Sequence, residues 1–104
     1  MGQRKDKIVT QFASVVRRHI SPCRILLFGS RAKGTAKKDS DYDFLLISPV
    51  FARWEWEERG AKMYRLKRSI PAAMDILCYT PEEFEQKRKE IGIVQEAVQC
   101  CVEA

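Results

Sequence analysis

Three aspartates are the residues of this 104-residue chain whose types and spacing could do chemistry. Asp41 and Asp43 are two positions apart at the start of an apolar run, so on a strand both face the same way with Cα atoms about 6.5–7 Å apart. Carboxylates at that spacing can converge on two metal ions roughly 3.5–4 Å apart, the arrangement used for in-line phosphoryl chemistry. Asp75, within a later apolar run, supplies a third oxygen ligand of the kind that Mg²⁺ prefers. We therefore expect these three side chains to bind metal.

A glycine–serine step is expected to bind the phosphates that such metal ions accompany. Gly29 lets the backbone approach phosphate closely, and amides at a helix start point toward the anion. Ser30 adds a hydroxyl donor. The segment is not a Walker A loop, because Thr35 stands where that motif needs lysine. Basic side chains lie around the same turn, where charge develops on a leaving pyrophosphate: Arg31, Lys33, Lys37 and Lys38.

The positions of apolar residues predict the elements that hold these side chains. Helical spacing, short apolar runs and turn residues give the order helix, strand, helical turn, strand, helix, strand and helix. Ser21-Pro22 ends the first helix, and the last helix starts at Thr80-Pro81 and has a break at Gly92. The predicted elements cover residues 8–20, 24–28, 30–36, 42–47, 53–67, 73–79 and 81–101.

Connection lengths predict how the strands pair. The short link between the first two strands suits an antiparallel pair, and the helical crossover to the third suits a parallel one. We therefore expect an α/β protein of the α+β type, with one domain over residues 1–104. It would contain a small mixed three-stranded sheet flanked by helices, with the aspartates and Gly29-Ser30 at one edge.

Composition excludes several classes of site. His19 is the only histidine, so a Ser-His-Asp triad or a histidine metal cluster is impossible. The four cysteines have no CxxC spacing and are expected to be reduced thiols. No apolar run is long enough to span a bilayer and none follows the basic N-terminus as a signal peptide requires, so we expect a cytoplasmic protein without membrane contact.

The net charge of +5 favours anionic partners. It suits nucleotides, nucleic acids and acidic proteins equally. Because the basic residues are spread over several elements and no nucleic-acid-binding motif is present, nucleic acid is not the expected partner.

Two segments together resemble the signature of minimal nucleotidyltransferases, within the DNA polymerase beta-like nucleotidyltransferase superfamily. They are LFGSRAKG at 27–34 and DSDYDFLL at 39–46. Residues 74–84 resemble the strand of the third carboxylate and the helix after it. The resemblance implies transfer of a nucleoside monophosphate from a triphosphate, typically ATP, to a hydroxyl, with pyrophosphate released.

The resemblance also implies roles for individual residues. Asp41 and Asp43 would ligate two Mg²⁺ ions, and Asp75 would join the catalytic one and take the acceptor's proton. Gly29, Ser30 and Lys33 would contact the triphosphate. Lysine at position 33 keeps the charge of the more usual arginine but not its bidentate geometry.

Two functions follow from this resemblance. In the first, the chain transfers AMP from ATP to a hydroxyl on a partner protein of the HEPN type, in an antitoxin-like role. In the second, it is a non-catalytic nucleotide-binding subunit that neutralises its partner by binding alone. A nucleic-acid-binding module is a third hypothesis, and a homodimer is possible in each case.

Each candidate residue also has a purely structural interpretation. Asp41 and Asp43 could simply be acidic residues at an exposed strand start, and Gly29 and Gly34 could be ordinary turn glycines. The aromatic side chains Trp54, Trp56 and Tyr64 are expected to pack in the core or at an interface rather than to stack on bases.

Overall fold

A computed structural model of the protein describes residues 6–99 and 101–104, so the predictions about Met1–Lys5 and Cys100 lie outside the described residues. None of the helices in these ranges is long and apolar enough to cross a membrane. The helices are α1 Lys7–His19, α2 Gly29–Lys33, α3 Trp56–Leu66, α4 Pro81–Lys87 and α5 Ile93–Gln99, with 3-10 turns at Pro49–Arg53 and Lys67–Ser69. The strands are β1 Arg24–Phe28, β2 Tyr42–Ile47, β3 Met74–Tyr79 and β4 Val102–Glu103.

The first helix forms as its apolar spacing predicts. Asp6 caps it by accepting a hydrogen bond from the backbone N–H of Ile8 at 2.8 Å, which satisfies a donor that the helix leaves free. Phe12 and Val16, one turn apart, are completely buried. The apolar face of α1 therefore packs on the sheet while its basic last turn stays outside.

The sheet has the predicted mixed pairing, in the order β3-β2-β1-β4. β1 and β2 are antiparallel, and β2 and β3 are parallel across the helical crossover. The predicted strand count of three is one short, because β4 pairs antiparallel with β1 at Leu26 and Leu27. Two residues are too few to show the alternation by which a strand is recognised in a sequence.

The predicted C-terminal helix is also shorter than expected. It divides into α4 and α5 around Gly92, where the break was predicted, and α5 ends at Gln99. The prediction that Cys101 is helical is wrong, because the chain has already left α5 and is turning into β4 there. Ile91, inside the predicted helix, is 96% exposed because it lies between α4 and α5.

Helices cover both faces of the sheet, and side chains alternate between the two. Phe44 and Leu46 of β2 pack toward α1 and α3, whereas Leu45 and Ile47 pack toward α4 and α5. Since successive residues of a strand point to opposite faces, this pattern fixes the direction of every other side chain on β2 and β3.

The crossover between β2 and β3 is not the single helix predicted over 53–67. Ser48 caps a 3-10 turn by accepting from the N–H of Val50, and α3 starts only at Trp56, after a capping box between Glu55 and Glu58. These two caps separate the segment into two pieces. Gly60 lies inside α3 without interrupting it.

The outer edge of β3 is covered by side chains of α3. The carbonyls of Ala73 and Tyr79 accept from the N–H groups of Tyr42 in β2 and of Ser48 directly after it. Those of Met74 and Cys78 therefore point outward by alternation. Tyr64 Oη donates to the Met74 carbonyl at 2.9 Å. Arg59 Nη1 donates to the Cys78 carbonyl at 3.2 Å, so α3 is tied to the strand that it leads into.

The aromatic residues of the crossover pack against the protein itself. Trp54 is half-buried against the core, and Lys62 Nζ lies 4.7 Å from the centre of its ring. Trp56 is 45% exposed, with its ring 5.1 Å from that of Tyr79.

Arg59 is buried and joins three parts of the chain. It donates to the Trp54 carbonyl and forms an ion pair with Glu83 at 2.6 Å. Glu83 also completes the cap of α4 with Thr80. The hydrogen bond from Arg59, ahead of the contacts with Thr80, holds the pKa of Glu83 below its ordinary value of 4.5.

We expect Glu83→Gln to lower the free energy of unfolding at pH 7 by about 2 kcal/mol, because it leaves the buried Arg59 charge without its anion. A lowered carboxylate pKa stabilises the fold above the ordinary pKa and loses this effect as pH falls through the lowered value. The difference from wild type should therefore narrow below pH 4.5. Urea unfolding at pH 7 and pH 3 measures it. Glu85→Gln, on the same helix but in an exposed pair with Arg88, should cost under about 0.5 kcal/mol.

Candidate active site

Two aspartates lie side by side where β2 and β3 begin. Asp43 and Asp75 are register partners in the parallel pair, so their backbones are about 4.8 Å apart. Asp43 is two residues before Leu45, and Asp75 is two residues before Leu77, and both leucines pack toward α4 and α5. Residues two apart on a strand share a face, so both carboxylates point to that face of the sheet. Asp75 is exposed and Asp43 is half-buried.

Gly29 closes the other side of Asp43. Phe28 is the register partner of Asp43 on β1, and Gly29 follows it with a φ of 73°. A β-carbon at this position would overlap Asp43 Oδ2. Both the positive φ and the close approach to the carboxylate therefore require glycine.

Gly29 and Ser30 are the first two residues of α2, which ends at Lys33 and so is shorter than the helical turn predicted over 30–36. The residue before the helix is Phe28, which provides no side-chain hydrogen bond to the helix start. Because the first N–H groups of a helix have no partner within it, the amides of this turn are available to an anion beside Asp43. Ser30 is half-buried.

Asp41 is the exposed residue just before β2. Burial raises the pKa of Asp43, and the negative charge of Asp75 and then that of Asp41 raise it further. A divalent cation would relieve this repulsion, and carboxylate oxygens suit Mg²⁺. Within 6–99 and 101–104, however, no three His, Cys, Asp or Glu side chains are already arranged to hold a metal. The donors that this part of the chain offers a cation are the neighbouring carboxylates of Asp43 and Asp75, with Asp41 beside them.

The structure does not bring Lys33 together with the aspartates. Lys33 is exposed and lines a groove of about 960 Å³ with Arg17 of α1 and Glu103 of β4. Leu27, also in this groove, belongs to the core on the α1 side of the sheet, opposite the face of Asp43 and Asp75.

Arg31 has a role that sequence reasoning missed when it counted this residue among the charges around phosphate. Its guanidinium donates two hydrogen bonds to the Ser40 carbonyl, at 2.8 and 3.2 Å, and one to the Lys38 carbonyl at 3.2 Å. It also lies 4.2 Å from the centre of the Tyr42 ring. Alternation on β2 predicts that Tyr42 faces away from Asp43, but no local signal shows that Arg31 meets it.

Gly29→Ala should lower the free energy of unfolding by about 2–4 kcal/mol, because it combines an unfavourable φ with a side chain that displaces Asp43. Gly34→Ala is the matched control. Gly34 has a similar φ of 78°, but its β-carbon would meet nothing within 4 Å, so about 1–2 kcal/mol is expected. Equal losses in denaturant unfolding of the two variants would contradict the close approach at Gly29.

Asp43→Asn should raise the melting temperature of the metal-free protein at pH 7. A carboxyl whose pKa is raised in the folded state destabilises the fold when ionised, and this cost disappears as pH falls through the raised pKa. The gain should therefore shrink toward pH 4. Thermal unfolding of wild type, Asp43→Asn and the exposed loop variant Asp39→Asn tests this, since only the Asp43 variant should show the effect.

Several known structures share this fold. A candidate nucleotidyltransferase from Sulfolobus solfataricus superposes with a TM-score of 0.59 at 23% identity, over 83% of this chain and 84% of that one. A toxin–antitoxin structure with AMP-PNP gives a TM-score of 0.62 at 18% identity, over 90% of this chain and 69% of that one. BolA1 from Arabidopsis thaliana gives 0.61 at 16% identity, over 76% of this chain and 98% of that one. At these identities the likeness concerns the fold alone.

Sequence comparison assigns the family. No curated protein matches the chain significantly. The family described as "Nucleotidyltransferase domain" matches residues 9–103, which include α2, all four strands and the three aspartates. Its span confirms the resemblance carried by the glycine–serine and aspartate segments, and the chain belongs to the nucleotidyltransferase domain family.

Proposed function

We propose that this protein is a metal-dependent nucleotidyltransferase that moves AMP from ATP to a hydroxyl group on a partner protein. The observation that carries the proposal is the placement of the Asp43–Asp75 pair against Gly29. Carboxylates for a cation and free amides for a phosphate thereby meet at one point of the sheet.

In this proposal each part of the chain has a separate task. Asp43 and Asp75 hold a metal ion between neighbouring strands, and Asp41 turns toward it from the loop. The amides of Gly29 and Ser30 bind the phosphates of ATP. Lys33 reaches the triphosphate only after its side chain leaves the groove on the α1 side, so its role is the one least supported by the geometry.

Two Mg²⁺ ions, when bound, would stabilise the charge that develops on the attacking and leaving oxygens. The acceptor oxygen forms a bond to the α-phosphorus as the bond to pyrophosphate breaks. Asp75, the more exposed carboxylate of the pair, receives the acceptor's proton. The amides at the start of α2 retain the departing pyrophosphate.

A partner protein as the acceptor is supported by two observations. The toxin–antitoxin structure that shares this fold contains AMP-PNP, an analogue of ATP. Asp75 is exposed, so the hydroxyl of a large molecule could approach it. By the family resemblance, the partner would be a HEPN-type protein and this chain would have an antitoxin-like role.

Incubation of the protein with α-labelled ATP, Mg²⁺ and a HEPN-type partner tests the reaction. Label should appear on the partner, and Asp43→Asn should reduce the rate at least about a hundredfold because it removes charge from the metal site. Asp39→Asn, an exposed aspartate in the preceding loop, should stay within about twofold of wild type. Parallel reactions with GTP, CTP and UTP identify the preferred base.

Label transfer, together with an assay of the partner's activity, distinguishes this reaction from the second hypothesis, in which the chain neutralises its partner by binding alone. In that case wild type would bind ATP and the partner without transferring label. Asp43→Asn would then neutralise the partner as well as wild type does. Failure of wild type to bind Mg²⁺ and ATP at all would contradict both functions.

A further inference from the structure

We propose that Arg31 is a positioning residue: through the loop at 38–40 and the ring of Tyr42 it fixes the two aspartates of β2 in the orientation that binds metal. This inference rests on the proposed function, since it concerns how the same site is held in place. It assigns to Arg31 a task other than the phosphate contact suggested by its place beside Ser30.

The contacts of Arg31 leave its guanidinium directed at the loop. Three of its hydrogen bonds go to two backbone carbonyls, those of Ser40 and Lys38. Ser40 is the residue before Asp41, so its carbonyl belongs to the peptide unit whose nitrogen is that of Asp41. A planar guanidinium with several donors suits this double attachment, which a lysine could not reproduce.

The loop is also closed on itself. The N–H of Lys37 donates to Ser40 Oγ at 2.9 Å, and the N–H of Ser40 donates to the Lys37 carbonyl at 3.1 Å. Arg31 therefore binds a turn at 37–40 that is already closed by its own hydrogen bonds. Asp41 follows this turn directly, so any movement of the turn moves this aspartate.

Tyr42 transmits the same restraint to Asp43. Arg31 lies over one face of the ring, and Tyr42 Oη donates to Asp6 Oδ2 at 2.8 Å. Asp6 is itself fixed as the cap of α1. Because Tyr42 is buried on one face of β2, alternation directs the flanking residues Asp41 and Asp43 to the other face.

The arrangement thus joins α1, α2 and the start of β2 around one ring. The guanidinium cation is attracted to the face of the aromatic ring. Residues that orient metal ligands without touching the metal commonly change metal affinity about 10–100-fold when replaced. An effect of that size at Arg31 is what positioning of Asp41 and Asp43 predicts.

Hydrogen exchange in the absence of metal and nucleotide is the first test. In Arg31→Met, the amides of Lys37 and Ser40 should exchange roughly tenfold faster than in wild type, because the loop opens more often. Arg31→Lys should fall between the two. Arg18→Met, which removes an exposed charge from the end of α1, should leave these amides unchanged.

Binding of Mn²⁺ without nucleotide, followed by the signal of the free ion, is the second test. Arg31→Met should weaken it about tenfold, with Arg31→Lys intermediate, while Arg18→Met binds as wild type does. A phosphate-binding Arg31 gives the opposite pattern: loop exchange and Mn²⁺ binding are unchanged, and only ATP affinity falls. That pattern would overturn the proposal.

The two tests also separate this inference from the proposed function. If wild type binds neither Mn²⁺ nor ATP, the proposed function is wrong. Unchanged hydrogen exchange of the loop amides in Arg31→Met would show independently that Arg31 does not hold the loop. If Arg31→Met does not fold, the comparison of Arg31→Lys with Arg18→Met decides the question. Tyr42→Phe, which keeps the ring and loses the bond to Asp6, should also weaken Mn²⁺ binding by a smaller factor.

Discussion

The parallel register of β2 and β3 is the constraint on which the site depends. It places Asp43 directly beside Asp75 on the adjacent strand, so two carboxylates of like charge are neighbours. A parallel pair needs a crossover, which explains why α3 and its 3-10 turns occupy so large a part of a 104-residue chain. The buried Arg59, which ties α3 to β3 and to the cap of α4, stabilises this connection and through it the register.

The same pair would make the proposed function oppose the stability of the fold. Burial and two neighbouring carboxylates raise the pKa of Asp43, so the metal-free protein carries a charge that disfavours its folded state. Gly29 adds a backbone conformation that other residues avoid. Both features lower the stability of the domain, and in the proposed function the carboxylates would hold a cation and the glycine turn a phosphate.

Much of this arrangement could be predicted from the sequence because its signals are local. Asp41 and Asp43 stand two apart on an apolar run, Gly29 ends another, and the crossover length sets the strand directions. The fourth strand could not be predicted because Val102–Glu103 is too short for a pattern. The placement of Lys33 in the α1 groove and the contact of Arg31 with Tyr42 depend on side-chain directions across distant elements, which spacing along the chain does not encode.

The cover that α3 forms over β3 has a consequence for how the protein behaves at high concentration. An exposed strand edge is a template for pairing with other chains, and proteins protect such edges with side chains or helices. Here the outward carbonyls of Met74 and Cys78 are already bonded to Tyr64 and Arg59. The crossover helix α3, which connects the two strands that carry the carboxylates, therefore also protects the outer edge of β3 from pairing with other chains.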